Sequence, residues 1–183
     1  MSDLPEGWVS TSISMLIDLN PKNDIADDAL AGFMPMSFLG KDFLDIPKFE
    51  PRQWGEIKKS YTHFADGDVL LAKITPCFEN GKAGIPSGLP NGVGAGSSEY
   101  FVCRTRSQVI LPKYLLAYFK TPDFLQLGES QMTGSVGHKR VPKNYLLDKQ
   151  IPLAPLNEQK RIADKLDRLL AKVDACRERC DRI

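Results

Sequence analysis

The sequence lacks the features of membrane-bound, exported and disulfide-rich proteins. No apolar run approaches the roughly 18 residues that a membrane span needs, and the start MSDLPEGWVS has neither the basic nor the apolar region of a signal peptide. The 4 cysteines form no CxxC pair and there are only 2 histidines, which argues against a zinc cluster or a disulfide framework. We therefore expect a protein of the cytoplasm that binds no metal and no membrane.

The motifs of common catalytic sites are also missing. The sequence contains no G-x-S-x-G, no H-E-x-x-H and no Walker G-x-x-x-x-G-K-[ST], and the glycine-rich stretch GVGAGSS lacks the dinucleotide-binding spacing. His63 and His138 have no obvious nucleophile as partner. We therefore predict no catalytic residue and no cofactor on this chain, which offers binding surfaces instead of a reaction centre.

Composition and charge are those of an ordinary globular protein with an uneven charge distribution. Hydrophobic residues make up 42% and charged residues 26% of 183 residues, which suits one domain plus an appendage. The net charge is +1, but residues 51–156 carry 13 basic against 8 acidic side chains, whereas residues 1–50 carry 3 against 9. A modest excess is common on any solvated surface, yet phosphate contacts should be sought in the middle of the chain.

The first 150 residues indicate a mixed α/β fold, because short apolar runs alternate with Gly and Pro breaks. Helices are expected to begin at Pro112 and again at Pro122, with Thr121 as N-cap of the second. The predicted strands are Gly32 to Phe38, Asp68 to Thr75, Glu99 to Thr105 and Lys149 to Ala154.

The C-terminal segment predicts a long helix with a narrow apolar stripe. With Asn157 as N-cap, it can run for about 27 residues, or about 40 Å. Its apolar positions alternate in steps of four and three, the 3.5-residue period of a coiled coil. A helix lying back on its own domain remains the alternative, and the two cysteines of the stripe, without a third ligand nearby, are better taken as small apolar residues than as a metal site. The predicted helix-pairing positions are Ile162, Leu166, Leu169, Val173, Cys176, Cys180 and Ile183.

Three segments combine residue types that contact nucleic acids. The stretch AKITPCFENGKAG (Ala72 to Gly84) has an Asn-Gly turn between lysines, and it could equally be an ordinary connection between strands. The stretch MTGSVGHKRVP (Met132 to Pro142) follows glycines and hydroxyls with three adjacent side chains able to carry positive charge, a pattern suited to phosphate. In PRQWGEIKKSY (Pro51 to Tyr61), basic and aromatic residues alternate, but Trp54 could instead fill the core.

Within these segments, we predict phosphate contacts for Lys73, Lys82, Lys139 and Arg140 and base or sugar contacts for Thr75, Asn80, Ser135 and His138. Further candidates for contacts with nucleic acid are Arg52, Lys58 and Lys59.

Five stretches, in the order LPEGW, GDVLLAKITPCFENGKAG, SSEYFVCR, MTGSVGHKRVP and PLAPLNEQKRIADKLDRLLAKVDA, resemble the DNA specificity subunits of type I restriction–modification systems. The resemblance extends from Leu4 to Ile183. It implies a target recognition domain at 1–154, with a small, twisted, mainly antiparallel sheet and flanking helices, and a long spacer or dimerisation helix at 155–183.

In function, the resemblance implies a non-catalytic subunit that reads half of a bipartite double-stranded DNA sequence. The residues that read the sequence are then expected mainly between positions 20 and 62. It implies docking to adenine methyltransferase subunits, which bring S-adenosylmethionine, while a separate motor subunit restricts unmodified DNA. No N-P-P-[YF] or D-P-P-[YF] methyltransferase motif is present in this chain.

Family members usually have two recognition domains and two long helices, whereas this chain has one of each. It is therefore either a piece of a longer subunit or a half-length subunit. In the second case, two copies should pair through antiparallel helices and read a two-fold symmetric, interrupted site.

A protein-binding assembly adaptor, driven by the C-terminal helix without direct DNA reading, is the competing hypothesis. The acidic first 50 residues would suit it. A stand-alone nuclease or methyltransferase is disfavoured, because the residue sets that such enzymes need are absent.

Overall fold

A computed structural model describes residues 4–180 and confirms the mixed α/β fold. The strands are β1 (Val9–Ser12), β2 (Ile17–Leu19), β3 (Leu30–Met34), β4 (Glu50–Gln53), β5 (Thr62–Ala65), β6 (Val69–Ala72), β7 (Ala83–Gly84), β8 (Val93–Gly96), β9 (Tyr100–Thr105) and β10 (Gln150–Leu153). The α-helices are α1 (Trp54–Ile57), α2 (Pro112–Phe119), α3 (Pro122–Ser130), α4 (Lys143–Asp148) and α5 (Leu156–Cys180). None of the helices in this part of the chain is both long and apolar enough to cross a membrane.

The strands pair mainly antiparallel, as predicted, but they divide among three sheets. One sheet has the order β2-β9-β6-β7 and a second has the order β4-β3-β8-β5, while β1 and β10 form a separate ribbon. Among the pairs of described strands, β3 with β8 is the parallel one. Because β1 pairs with β10, the first and last strands lie side by side where α5 begins. There Trp8 Nε1 donates to Glu158 Oε2 at 3.0 Å, which fastens the start of the domain to the helix.

The predicted strands are present but shorter than expected, and one was wrong in its second half. The run Gly32 to Phe38 forms strand only as far as Met34, and Met36–Phe38 is a 3-10 turn. Pro35 explains the break, because it has no N–H with which to continue a ladder of backbone hydrogen bonds.

The prolines mark the helix starts correctly, but one of the two predicted caps was wrong. Helices α2 and α3 begin at Pro112 and Pro122, as predicted. Thr121 is the N-cap residue of α3, as predicted, although its hydroxyl donates back to the Tyr118 carbonyl at 2.8 Å instead of accepting an N–H of the helix. Helix α5 begins at Leu156, so Asn157 lies inside its first turn, and the N–H groups of Glu158 and Gln159 both donate to the Pro155 carbonyl.

The largest part of the core lies between β6 and β9 on one side and α2, α3 and α4 on the other. Phe124 is its aromatic centre, with ring centroids 5.0 Å from Phe119 and 5.4 Å from Tyr145. Cys103 is fully buried in this core, and burial raises the pKa of its thiol. The thiol therefore stays protonated and serves as a packing group.

A second part of the core, under β3 and β8, shows that Trp54 fills space rather than facing a ligand. Trp54 is 1% exposed and packs edge-on against His63, with centroids 4.6 Å apart. The His63 ring is fixed in turn, since Nδ1 accepts the Asn23 N–H at 3.2 Å and Nε2 donates to the Lys58 carbonyl at 2.6 Å. That pattern needs the neutral tautomer with its proton on Nε2.

A buried ion pair ties the two four-stranded sheets together. Asp68 is 2% exposed, and its carboxylate accepts two hydrogen bonds of 2.9 Å from the Arg104 guanidinium. The same carboxylate accepts the Ala65 N–H at 2.7 Å, and Arg104 also donates to the Asn23 amide oxygen at 3.0 Å. Because Arg104 lies on β9 and Ala65 on β5, this network joins the sheets through charge-assisted bonds.

Candidate nucleic-acid interface

Residues 133–140 form an exposed turn, which we call the basic hairpin. Thr133 and Arg140 exchange both backbone hydrogen bonds, at 3.0 and 2.8 Å. At the tip, the His138 N–H donates to the Ser135 carbonyl at 2.9 Å, and Gly137 has a φ of 79°. This is the arrangement of a type II turn, which needs glycine at its third position. Val136 stands at the second position and is 93% exposed.

The base of the basic hairpin is held by charge and by backbone bonds. The Arg140 guanidinium donates to both carboxylate oxygens of Glu99, at 2.9 and 2.7 Å. This hydrogen bonding lowers the pKa of Glu99, so the ion pair persists to a lower pH than it would with a glutamate of ordinary pKa. The Thr75 N–H also donates to the Lys139 carbonyl at 3.0 Å, and the Val141 N–H donates to the Lys73 carbonyl at 2.8 Å.

These bonds bring together two of the three segments that the sequence analysis selected. Lys73 and Thr75, just past the end of β6, lie directly beside residues 139–141 although more than sixty positions separate them in the sequence. Ser135, His138 and Lys139 are exposed on the hairpin. Lys73 is half-buried, and its ammonium lies 5.4 Å from the centroid of the Phe101 ring. The result is one protruding surface with hydroxyls, an imidazole and cations.

The second half of the first segment turns away from the basic hairpin. The Lys82 ammonium donates to the Met36 carbonyl at 3.1 Å, and the Thr75 hydroxyl donates to Glu79 Oε1 at 2.7 Å. Asn80 is exposed at the edge of a crevice that Leu166 and Leu170 of α5 also line. The segment connects the antiparallel strands β6 and β7, as the alternative interpretation held.

Lys120, which sequence reasoning did not identify, anchors this loop through hydrogen bonds. Its ammonium donates to the carbonyls of Lys41, Gly81 and Ala83 at 2.8, 2.7 and 2.8 Å. Burial lowers its pKa to about 8. One lysine at the end of α2 therefore fixes two loops through all three of its protons, and no local sequence pattern announces such a role.

In the third segment, several cations are already engaged by the chain itself. The Arg52 guanidinium lies 3.9 Å from the centroid of the Phe33 ring and donates to Glu50 at 3.0 Å. The Lys58 ammonium pairs with Asp27, whereas Lys59 is exposed. These residues belong to β4 and the end of α1, on a different sheet from Lys73, and the structure does not bring them beside the basic hairpin.

The start of α5 is docked on the domain by a buried amide that the sequence analysis also missed. Gln159 is 0% exposed. Its Oε1 accepts the Leu111 N–H at 2.9 Å, and its Nε2 donates to the carbonyls of Val109 and Ala154 at 3.0 and 2.8 Å. Ala163, one turn later, is 4% exposed. The glutamine of the PLAPLNEQ stretch therefore joins α5 to the domain through its buried hydrogen bonds.

The predicted helix-pairing stripe is divided between two environments. Ile162 packs against the main core and Leu166 is half-buried, whereas Leu169 and Val173 are 48% and 44% exposed. Cys176 and Cys180 are exposed free thiols, and Ile183 lies outside the described residues. The first turns therefore follow the alternative interpretation of a helix resting on its own domain, and the exposed second half retains the positions predicted to pair.

The chain belongs to the family described as the type I restriction modification DNA specificity domain, whose model matches residues 47–183. It is 48% identical over 173 residues to the EcoAI specificity subunit of Escherichia coli and 45% identical over 173 residues to the EcoEI specificity subunit of Escherichia coli. In both cases the match covers 94% of this chain and 29% of the relative. The chain thus spans under a third of the curated relatives it matches. The predicted membership of the type I specificity-subunit family is confirmed.

Solved structures agree on the fold. The HsdS subunit from Thermoanaerobacter tengcongensis superimposes with a TM-score of 0.76 at 19% identity, covering 96% of this chain and 45% of that one. The S subunit of a type I restriction-modification system from M. genitalium gives a TM-score of 0.57 at 12% identity and covers 96% of this chain and 41% of that one.

Proposed function

We propose that this chain recognises one half of a bipartite double-stranded DNA sequence, and that the basic hairpin with the adjoining Lys73 and Thr75 contacts the duplex. The proposal rests on one observation. Backbone hydrogen bonds of Lys73, Thr75 and Lys139 join two of the segments chosen in the sequence analysis into one exposed surface. Hydroxyls, backbone N–H groups and cations together are the groups that position proteins on the phosphate backbone.

Some charged side chains of this surface hold the basic hairpin in place, and others are available to contact a phosphate. Arg140 is held by Glu99, so its first task is to keep the hairpin in place. Lys139 and His138 are exposed beside it and are free to turn toward a phosphate without breaking an ion pair of the domain. Lys82, Arg52 and Lys58 are weaker candidates, since a new phosphate contact would compete with the contacts they already make.

We further propose that catalysis belongs to partner subunits. Adenine methyltransferase subunits would bring S-adenosylmethionine, and a motor subunit would restrict unmodified DNA, while this chain selects the sequence. The membership of the family and the names of the relatives, which are specificity subunits of type I restriction enzymes, support this division of work. In such a complex, residues 4–154 would be the recognition domain and α5 the spacer.

Replacing Lys139 with alanine should weaken binding to every duplex by a similar factor. Loss of one phosphate contact releases one fewer counterion, so the slope of log affinity against log salt concentration should fall by about one unit. Fluorescence anisotropy with a random-sequence duplex and with a selected duplex, each with and without the methyltransferase subunit, measures both quantities.

Lys160→Ala is the matched control, because Lys160 is also an exposed lysine but lies on α5, outside the segments predicted to contact DNA. It should leave affinity and salt slope unchanged. Equal effects of both substitutions would contradict the assignment of the duplex-contacting surface. Absence of duplex binding by the wild type, even with its methyltransferase, would favour the adaptor hypothesis.

We also propose that the exposed half of α5 pairs with a second copy of the same helix. Leu169 and Val173 place large apolar surface in solvent on one side of the helix, and such a stripe is stabilised when another helix covers it. In an antiparallel pair, the exposed half of each helix would lie along the exposed half of the other, because the apolar side of the docked half is already covered by its own domain.

The double substitution Leu169→Asp with Val173→Asp should therefore abolish self-association. Burying a carboxylate in an apolar seam costs about 1–3 kcal/mol or more at each position. Sedimentation velocity at micromolar concentration tests this, with Lys165→Asp plus Lys172→Asp as a control on exposed polar positions of the same helix. A wild-type chain that sediments as a monomer would refute the pairing of two copies.

A further inference from the structure

Val136 is the most exposed large apolar side chain in the part of the chain that the structure describes. It is 93% exposed, while the next is Ile46 at 75%. A single exposed valine needs no explanation in general. Val136, however, stands at the outermost point of the turn, and the neighbouring Ser135, His138 and Lys139 are all exposed and polar. The apolar group is therefore presented at the tip of a polar projection.

The projection is built to keep that tip in place. The paired backbone bonds of Thr133 and Arg140 close its base, and the Arg140 ion pair with Glu99 fixes the base to the start of β9. The His138 N–H bond to Ser135 sets the direction of the turn. Val136 thus loses less freedom on binding than a side chain on a disordered loop would, which favours affinity.

The width of the projection decides which DNA groove it can enter. It is a turn whose base is closed by one bridged pair, Thr133 with Arg140. The major groove, about 12 Å wide, admits elements as broad as a two-stranded ribbon, whereas the minor groove is about 6 Å wide. In the major groove, the 5-methyl group of thymine is the apolar group that base edges present. It is therefore the matching target for an apolar side chain at the tip of this turn.

We propose that Val136 contacts a thymine 5-methyl group in the major groove and makes the chain prefer thymine at one position of its site. This inference rests on the proposed DNA-reading function and deepens it. It adds a base-reading residue outside the 20–62 region, where the sequence analysis expected the readers to lie.

The test removes one methyl group at a time. Duplexes selected by the wild-type chain, with its methyltransferase subunit if needed, are remade with uracil in place of each thymine in turn. Burying one methyl group stabilises binding by about 0.8 kcal/mol, so uracil at the contacted position should weaken wild-type binding by about fourfold. In Val136→Ala, thymine and uracil should bind about equally at that position, while the other positions keep their wild-type ratios.

Lys139→Ala is the control, because it should lower affinity for all these duplexes without changing any thymine-to-uracil ratio. Two results would overturn the proposal: no uracil position that weakens wild-type binding, or a ratio that Val136→Ala leaves intact. If the chain does not read DNA at all, the result differs from both of these, because the wild-type chain then enriches no duplex from a pool of random sequences.

Discussion

Replacing Gln159 with leucine should lower the free energy of unfolding by about 3–4 kcal/mol, the largest effect we expect. Leucine is close to glutamine in size, so packing changes little. The Leu111 N–H and the carbonyls of Val109 and Ala154 would, however, lose the partner that satisfies them. A buried polar group left without its hydrogen bond costs about 1–3 kcal/mol, and three such groups are affected.

Urea denaturation at neutral pH measures this change, with Lys160→Leu as the matched control. Lys160 is the exposed neighbour on the same turn, and the same substitution there should change stability by no more than about 0.5 kcal/mol. Hydrogen exchange of residues 156–165 should also accelerate in the Gln159 variant, because the first turns of α5 lose their attachment. Equal stability of the two variants would show that the amide does not dock the helix.

Replacing Asp68 with asparagine should lower the free energy of unfolding by about 2–3 kcal/mol. The substitution keeps the shape of the side chain but removes its charge, and it turns one acceptor into an amide donor facing the Arg104 guanidinium or the Ala65 N–H. Breaking a buried pair costs about 3–5 kcal/mol. The expected loss is smaller because the Arg104 side chain is 34% exposed and can regain water.

The chain offers a control beside β9. Arg106, directly after the end of this strand, pairs with Asp18 of β2 at 3.2 Å, but these side chains are 47% and 64% exposed. Asp18→Asn should therefore change the free energy of unfolding by less than about 1 kcal/mol. If the two asparagine variants unfold at the same urea concentration, the Asp68 network does not hold the sheets together.

Sequence reasoning succeeded where the cause is local. Prolines fix the starts of α2 and α3 because they lack the N–H that the first turn does not need. The position of α5 and its stripe follow from a periodicity that any helix obeys. The two segments around Lys73 and Lys139 were selected because glycine, hydroxyl and basic residues cluster there.

Sequence reasoning failed where residues that are distant in the sequence together determine the local structure. Sequence reasoning rejected the run Gly92 to Ser98 as a dinucleotide-binding loop, but it did not predict that the run contains β8, a central strand of a sheet. Phe64 of β5 covers it so closely that a Cβ at Gly94 would lie 2.4 Å from the ring. Likewise, the Lys82 hydrogen bond to the Met36 carbonyl and the Arg52 contact with the Phe33 ring join groups that meet only after folding.

The pairing of β1 with β10 brings the two ends of the α/β domain to one corner. The polypeptide enters and leaves the domain there, where Trp8 bonds to Glu158. A different domain with the same two terminal strands could therefore be inserted at that corner without altering the direction of α5. Under the proposed function, such an exchange would change the DNA sequence that is read while the helix stays the same.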